Sequence, residues 1–217
     1  MIFAADSALM RVLTRIADVM ILNLLFVATS IPVVTLGASV TALHFTAMRI
    51  GSGRCESVSG DYFRAFRANG RAGTILGLVI AGMGGVLAAW WAVVTTAGLD
   101  AIVQLVLLAV WFVLTFQLVL IALFAFPYLA TFDDRVGTVL RNARLLSWKH
   151  PFVSLAVIAL NALPVIITVF YPAVTVYGLL WFAVLFGAIA VVTGTLFSRI
   201  FAPYIRDADH VAALTTE

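Results

Sequence analysis

The chain has 217 residues, 64% of them hydrophobic and only 11% charged, against roughly 45–50% and about 25% in an ordinary soluble domain. A soluble protein of this size could not cover its surface from so small a polar supply, and the mean hydropathy of +1.13 agrees. A soluble globular enzyme, a disordered chain and a nucleic-acid module are all excluded.

The net charge of +3 then reads as an orientation signal of a membrane protein rather than as a nucleic-acid footprint. The length fits one integral membrane domain over 1–217. Cys55 is the sole cysteine, so no intramolecular disulfide is available. No Cys or His at metal-ligand spacing accompanies it, and it reads as a reduced bystander.

In chain order, the N-terminal segment does not read as a cleavable signal. Asp6 precedes Arg11 and Arg15, and the apolar stretch that follows is too long for a signal core. That stretch, Val19–Met48, carries no Asp, Glu, Lys or Arg. It reads as one long helix by hydropathy alone. Ser30-Ile31-Pro32-Val33-Val34-Thr35-Leu36-Gly37 offers a break, because proline disfavours helix at the residue before it and a glycine follows. Broken there, the stretch becomes two short helices, about 12–31 and 35–52, with Arg15, Asp18 and Arg49 near the inner interface. Each arm is barely a span at 1.5 Å per residue. A re-entrant hairpin that turns inside the protein is the close alternative to two full crossings.

Ser59–Arg71 follows as an amphipathic helix, with Tyr62, Phe63 and Phe66 on one side and Arg64, Arg67 and Arg71 elsewhere. Spans are expected near 72–97 and 101–128, from the uncharged stretches Ala72–Leu99 and Ala101–Phe132. In the first of these, Gly73, Gly77, Ala81, Gly85 and Ala89 recur every four residues, a smooth face suited to close helix packing. A second amphipathic helix is expected over Asp134–Lys149, carrying Arg135, Arg141 and Arg144, with Asp133 or Asp134 as its cap. The last uncharged stretch, Pro151–Ser198, is interrupted at Tyr171-Pro172 and gives spans near 151–170 and 174–199.

Sidedness decides between the readings of the first stretch. If it enters and leaves on one side, all thirteen basic residues are cytoplasmic, Asp100 is the only external charge, and both termini are inside. A single crossing would strand Arg11 and Arg15 outside. The expected fold is therefore an all-α polytopic membrane protein of about six transmembrane helices, the first two a short hairpin, with interfacial amphipathic helices. Phe3–Ala17, Ser59–Arg71 and Asp134–Lys149 each precede a hairpin, and Arg67-Ala68-Asn69 and Arg141-Asn142-Ala143 sit at comparable points, which suggests a faint parallel repeat.

Intramembrane chemistry is sparse. Ionisable groups at membrane depth mark transport or catalysis, and His44 is the only titratable candidate there; it reads more simply as a neutral interfacial histidine bonded to a neighbouring helix. Asn23, Gln104, Gln117 and Asn161 read as helix–helix hydrogen-bonding groups, and Asp18 with Arg15 as a solvated pair of little energetic value. Trp90 and Trp91 suit an outer aromatic belt; Trp148, Tyr128 and Tyr204 suit an inner one. No nucleophile–base set, metal cluster or nucleotide-binding loop is evident, so neither an enzyme nor a cofactor is expected.

Asp18, Asn23-Leu24-Leu25-Phe26, the Ser30–Gly37 segment and Thr41-Ala42-Leu43 together resemble the YesL-like integral membrane family of bacteria (domain of unknown function 624). Tyr62-Phe63-Arg64-Ala65-Phe66-Arg67-Ala68-Asn69 continues the likeness. The resemblance implies a bacterial plasma-membrane protein whose genes lie beside carbohydrate ABC importers and glycoside hydrolases, and it brings no catalytic residues. The first expectation is thus a non-catalytic accessory subunit of such an importer. Arg64, Arg67, Arg141 and Arg144 would be its contacts with a permease subunit or with lipid, and homo-oligomers are conceivable. The alternative is a small transporter or channel for a sugar-related solute, lined by Asp18, Asn23, Pro32, Thr35, Gly37, Thr41 and His44.

Overall fold

A computed structural model describes residues 8–170 and 184–214. Among these residues there is no strand. Eight α-helices follow in order: α1 (Ala8–Ser30), α2 (Leu36–Gly51), α3 (Val58–Ala68), α4 (Gly70–Thr96), α5 (Ala101–Thr131), α6 (Val136–Lys149), α7 (Pro151–Phe170) and α8 (Phe186–Leu214). Six helices among the described residues are long and apolar enough to cross a membrane: α1, α2 with its preceding turn, α4, α5, α7 and α8.

The α1–α2 hairpin turns at Ile31-Pro32, where a short 3-10 turn, Val33–Thr35, leads into α2. Thr35 closes it: its backbone N–H donates to the Pro32 carbonyl (2.9 Å), and its hydroxyl contacts the carbonyls of Thr29 and Pro32 (both 2.7 Å). Glycines at positive φ make the next reversals, Gly53 (69°) after α2 and Gly98 (61°) after α4, where a side chain would be strained. Ser57 caps α3 by accepting from the Gly60 N–H (3.3 Å), and Asp100 caps α5 by accepting from the Ile102 N–H (2.9 Å).

Several boundaries differ from the sequence reading, each for a local reason. α3 stops at Ala68, because Asn69 folds its side chain back onto the Ala65 carbonyl (3.2 Å); Arg71 therefore lies in the first turn of α4. At α6 the N-cap is Arg135, not Asp133 or Asp134, and the Asp134 carboxylate instead accepts from the Tyr128 hydroxyl (2.8 Å). α8 continues past Arg199 and Pro203 to Leu214. Proline in such a helix removes one hydrogen bond without ending it when neighbours cover the freed groups, and Pro127 and Pro164 are likewise internal to α5 and α7. The expected Tyr171-Pro172 turn and the start of the last span lie outside the described residues.

The faint repeat survives only in part. Helix-then-hairpin order recurs in α3–α4–α5 and α6–α7–α8, but the first amphipathic segment is, from Ala8 onward, simply the first half of α1. Asn69 and Asn142 also have different partners, the former the Ala65 carbonyl and the latter the Tyr128 hydroxyl. Shared topology explains the likeness.

The buried core lies toward one end. One cluster joins Leu76 of α4 and Phe124, Tyr128 and Leu129 of α5 to Val139 and Leu146 of α6, Val157 of α7, and Phe197 and Phe201 of α8. A second joins Leu22, Leu43, Ala47, Val58, Tyr62 and Ala190 around α2. Both gather near the basic end of the α4–α5 hairpin, where Gly70 and Thr131 lie. The far half of that hairpin is bare on its outside, with Val86, Ile102 and Leu105 each about two-thirds exposed or more. There the two helices hold each other through Trp91 against Trp111 (ring centroids 4.7 Å apart) and the Trp111 indole donating to the Leu87 carbonyl (2.7 Å). Bare apolar helix surface of this kind suits lipid contact.

Candidate functional site

The densest set of specific contacts is the junction where the α1–α2 hairpin meets α3, α4 and α8. Its base is a backbone approach. Gly37, at the start of α2, lies against Gly73 and Gly77 of α4, and a Cβ on Gly37 would fall on the Gly73 carbonyl. A Cβ on Gly73 would come within 2.9 Å of the Ala38 Cα and 3.0 Å of the Thr41 hydroxyl. Only glycine permits this crossing. The small-residue face expected along α4 is therefore half used: Gly73 and Gly77 pack, while Ala81 is exposed and a Cβ on Gly85 would meet no other segment within 4 Å.

Polar ties fix the other sides. Buried Asn23 of α1 accepts from the Gly187 N–H of α8 (2.8 Å) through its side-chain oxygen. Thr41 returns its hydroxyl to the Gly37 carbonyl (2.8 Å). Tyr62 of α3 reaches the hairpin tip: its hydroxyl lies 2.5 Å from the Thr29 hydroxyl and 3.5 Å from the Ser39 carbonyl, to which it donates. Burial pushes the Tyr62 phenol up from its ordinary value, and the bonds to Thr29 and Ser39 oppose that shift. The hydroxyl stays a neutral donor.

Asp61 organises the charges. Its carboxylate, 7% exposed, takes the Arg49 Nε at 2.7 Å and also pairs with Arg64. Arg49 further donates to the Arg54 carbonyl (2.8 Å), and its guanidinium stands 5.9 Å from the Phe45 ring centroid. A carboxylate this buried needs its partners, since removing one leaves an uncompensated charge. Burial, then the hydrogen bond to Asp61, pushes the nearby Cys55 thiol up to about 11, with the charges of Asp61 and Asp18 adding to the shift. Such a thiol is a poor nucleophile at neutral pH. Beside this cluster lies a cavity of about 410 Å³ between α2, α5 and α8, lined by Met48, Arg49, Thr131, Ser198 and Phe201 among others.

The residues expected to line a pathway thus have diverse fates. Asn23, Pro32, Thr35, Gly37 and Thr41 are brought together as ties and turns of the hairpin. Asp18 is half-buried and forms no ion pair with Arg15, contrary to expectation, although both lie on α1. His44 is half-buried with its ring edge-on to Phe197 (6.3 Å), and its Nδ1 has no hydrogen-bond partner, so the expected bond to a neighbouring helix is not made there. Gln117 accepts from the Trp148 indole (2.8 Å), which ties α6 to α5 rather than leaving Trp148 as a simple belt residue. Arg64, Arg67, Arg141 and Arg144 are exposed on α3 and α6.

Asp61, Tyr62 as a hydroxyl donor, and the Asp134–Tyr128–Asn142 chain (2.8 Å at each link) were missed as polar contacts. The signal for Asp61 was present, as the one acid in a basic amphipathic helix. Among the described residues no three His, Cys, Asp or Glu side chains are grouped to hold a metal ion.

Residues 19–90 match the family model described as "Protein of unknown function, DUF624". The match runs from α1 to within α4 and so includes the whole Gly37–Gly73–Gly77 crossing, the Asp61 cluster and the Tyr62 ties. No curated protein and no solved structure matches the chain.

Proposed function

We propose, for a chain whose residues 19–90 match the DUF624 family model, a non-catalytic accessory or regulatory membrane subunit that associates with a carbohydrate ABC importer through its basic α3 and α6. The observation that carries this reading is the use made of the polar residues. Asn23, Thr35 and Thr41 are spent holding α8, the turn and α2 in place, which argues against their forming a solute path. The exposed Arg64, Arg67, Arg141 and Arg144, by contrast, remain on the surface of two helices at the basic end. The positive-inside pattern puts that end in the cytoplasm, with both termini, where permease subunits of an importer are within reach. The importer itself enters through the resemblance of the N-terminal motifs.

The test reverses Arg67 and Arg141 to glutamate together. These two are chosen because Arg64 also holds Asp61. Affinity purification in mild detergent from the native bacterium should recover importer subunits with the parent protein and lose them with the double variant, at equal membrane insertion. The purified protein in liposomes should pass no sugar. Robust flux from the protein alone, or undiminished co-purification with the double variant, would sink the accessory reading.

A further inference from the structure

We propose that the α1–α2 hairpin enters only the inner leaflet, with its tip, Ile31, Val33 and Val34, seated among the acyl chains and the α3 arginines at the lipid headgroups. The depth follows from the glycine crossing. Gly37 meets α4 at Gly73 and Gly77, close to the basic end of that helix. From Gly77 to Thr96, α4 rises a further ~28 Å at 1.5 Å per residue. The hydrocarbon layer is itself only about 30 Å thick. A hairpin that begins α2 beside Gly77 therefore falls far short of the end of α4 that leads to Asp100.

The charges agree. α3 packs along the hairpin, and Tyr62 reaches Thr29 and Ser39 near the tip. Two and five residues further along α3 stand the exposed Arg64 and Arg67, and Arg71 lies in the first turn of α4. A tip at the outer leaflet would drag these guanidinium groups into hydrocarbon, where they are disfavoured. Placed at the inner headgroups, the same groups meet anionic lipid.

The tip has the surface of a lipid-facing element. Ile31 is 78% exposed and Val33 80%. Immediately past Gly77, α4 presents exposed Leu78 and Val79, an apolar surface that suits hydrocarbon at the level the tip reaches. Irregular backbone in lipid must satisfy its own polar groups, and Thr35 does this for the carbonyls of Thr29 and Pro32. All thirteen basic residues remain on one side in this arrangement, so the charge pattern is respected as well as by two full crossings.

The test uses single cysteines in a Cys55→Ser background. Ala97→Cys, in the turn after α4, should label with an impermeant maleimide from outside intact cells. Val34→Cys should label at least about tenfold more slowly from either side, because a thiolate does not form in hydrocarbon. A nitroxide at Val34→Cys should be relaxed by dissolved oxygen well beyond its response to a water-soluble nickel chelate. Ile31→Cys serves as a second position should Val34→Cys fold poorly. Labelling of the tip from outside at the Ala97→Cys rate would mean a full crossing and would overturn the proposal. Stronger relaxation by nickel would place the tip in water, and weak relaxation by both would place it under protein; either result also overturns it.

Discussion

Single positions in this protein divide by whether another backbone lies against them. Gly37 faces the Gly73 carbonyl and the Gly77 Cα, whereas a Cβ on Gly85 would meet no other segment within 4 Å. Gly37→Ala should therefore destabilise the protein by about 1–3 kcal/mol, the range of overpacking in a filled core, and Gly85→Ala should cost nothing measurable. Thermal unfolding of both variants in one detergent checks the pair, and equal melting temperatures would refute the crossing. Asn23→Ala strands the buried Gly187 N–H, with an expected loss of about 1–3 kcal/mol. Asp61→Asn leaves Arg49 without its carboxylate. The loss should be about 2 kcal/mol, below the ~3–5 of a fully buried pair, because Arg49 keeps some access to water.

The Cys55 thiol offers a pH test at the same scale. Its folded value, raised from 9.0 to about 11, means that the fold favours the protonated thiol. That contribution to stability is complete at neutral pH and is lost as pH climbs from about 9 through about 11. Alkylation, which requires thiolate, should accordingly be slow at pH 8 in the folded protein and speed up on unfolding. In Asp61→Asn the reactive range should move down, since two of the causes of the shift come from that carboxylate. An alkylation profile centred at the ordinary thiol value in the folded parent would contradict the burial of Cys55 against Asp61.

At the scale of elements, α2 is the shared wall: it touches α1, α3, α4, α5 and α8. Short, moderately apolar and rich in small residues, it can lie close to five neighbours because Gly37, Ala38, Ser39, Thr41, Ala42 and Ala47 keep its surface low. α3 depends on it for position. Tyr62→Phe removes the hydroxyl that reaches Thr29 and Ser39 and should cost about 1 kcal/mol. It should also speed protease cleavage in the 52–57 loop, read by comparing digestion of parent and variant. An unchanged cleavage rate would mean that packing of Phe66 and Ala65 alone holds α3.

Across the whole molecule, packing and bare surface are segregated along the α4–α5 axis. The core collects at the basic end, and the far halves of α4 and α5 present apolar side chains outward. Thus the end that holds the fold together is also the end that carries the exposed arginines. Arg67→Glu with Arg141→Glu should leave the melting temperature nearly unchanged, within about 0.5 kcal/mol for exposed sites. Binding of detergent-solubilised protein to anionic vesicles should nevertheless weaken. A large fall in melting temperature would mean that these arginines support the core.

Much of this architecture was legible in the sequence because it rests on local properties. Uncharged stretches of spanning length gave α4, α5 and α7, Pro32 gave the hairpin turn, and the amphipathic spacing of Tyr62, Phe63 and Phe66 gave α3. Each depends only on residues within a few turns of one another, so periodicity and hydropathy suffice. The point where the hairpin crosses α4, the half of the glycine face that packs, and the role of Asn23 were decided by tertiary structure. These depend on which helix lies opposite: Gly73 differs from Gly85 only in having Gly37 and Ala38 across from it, and Asn23 finds Gly187 far along the chain. Lipid and a neighbouring helix are equally apolar surroundings, so hydropathy cannot tell them apart; only close approach between distant segments makes the difference.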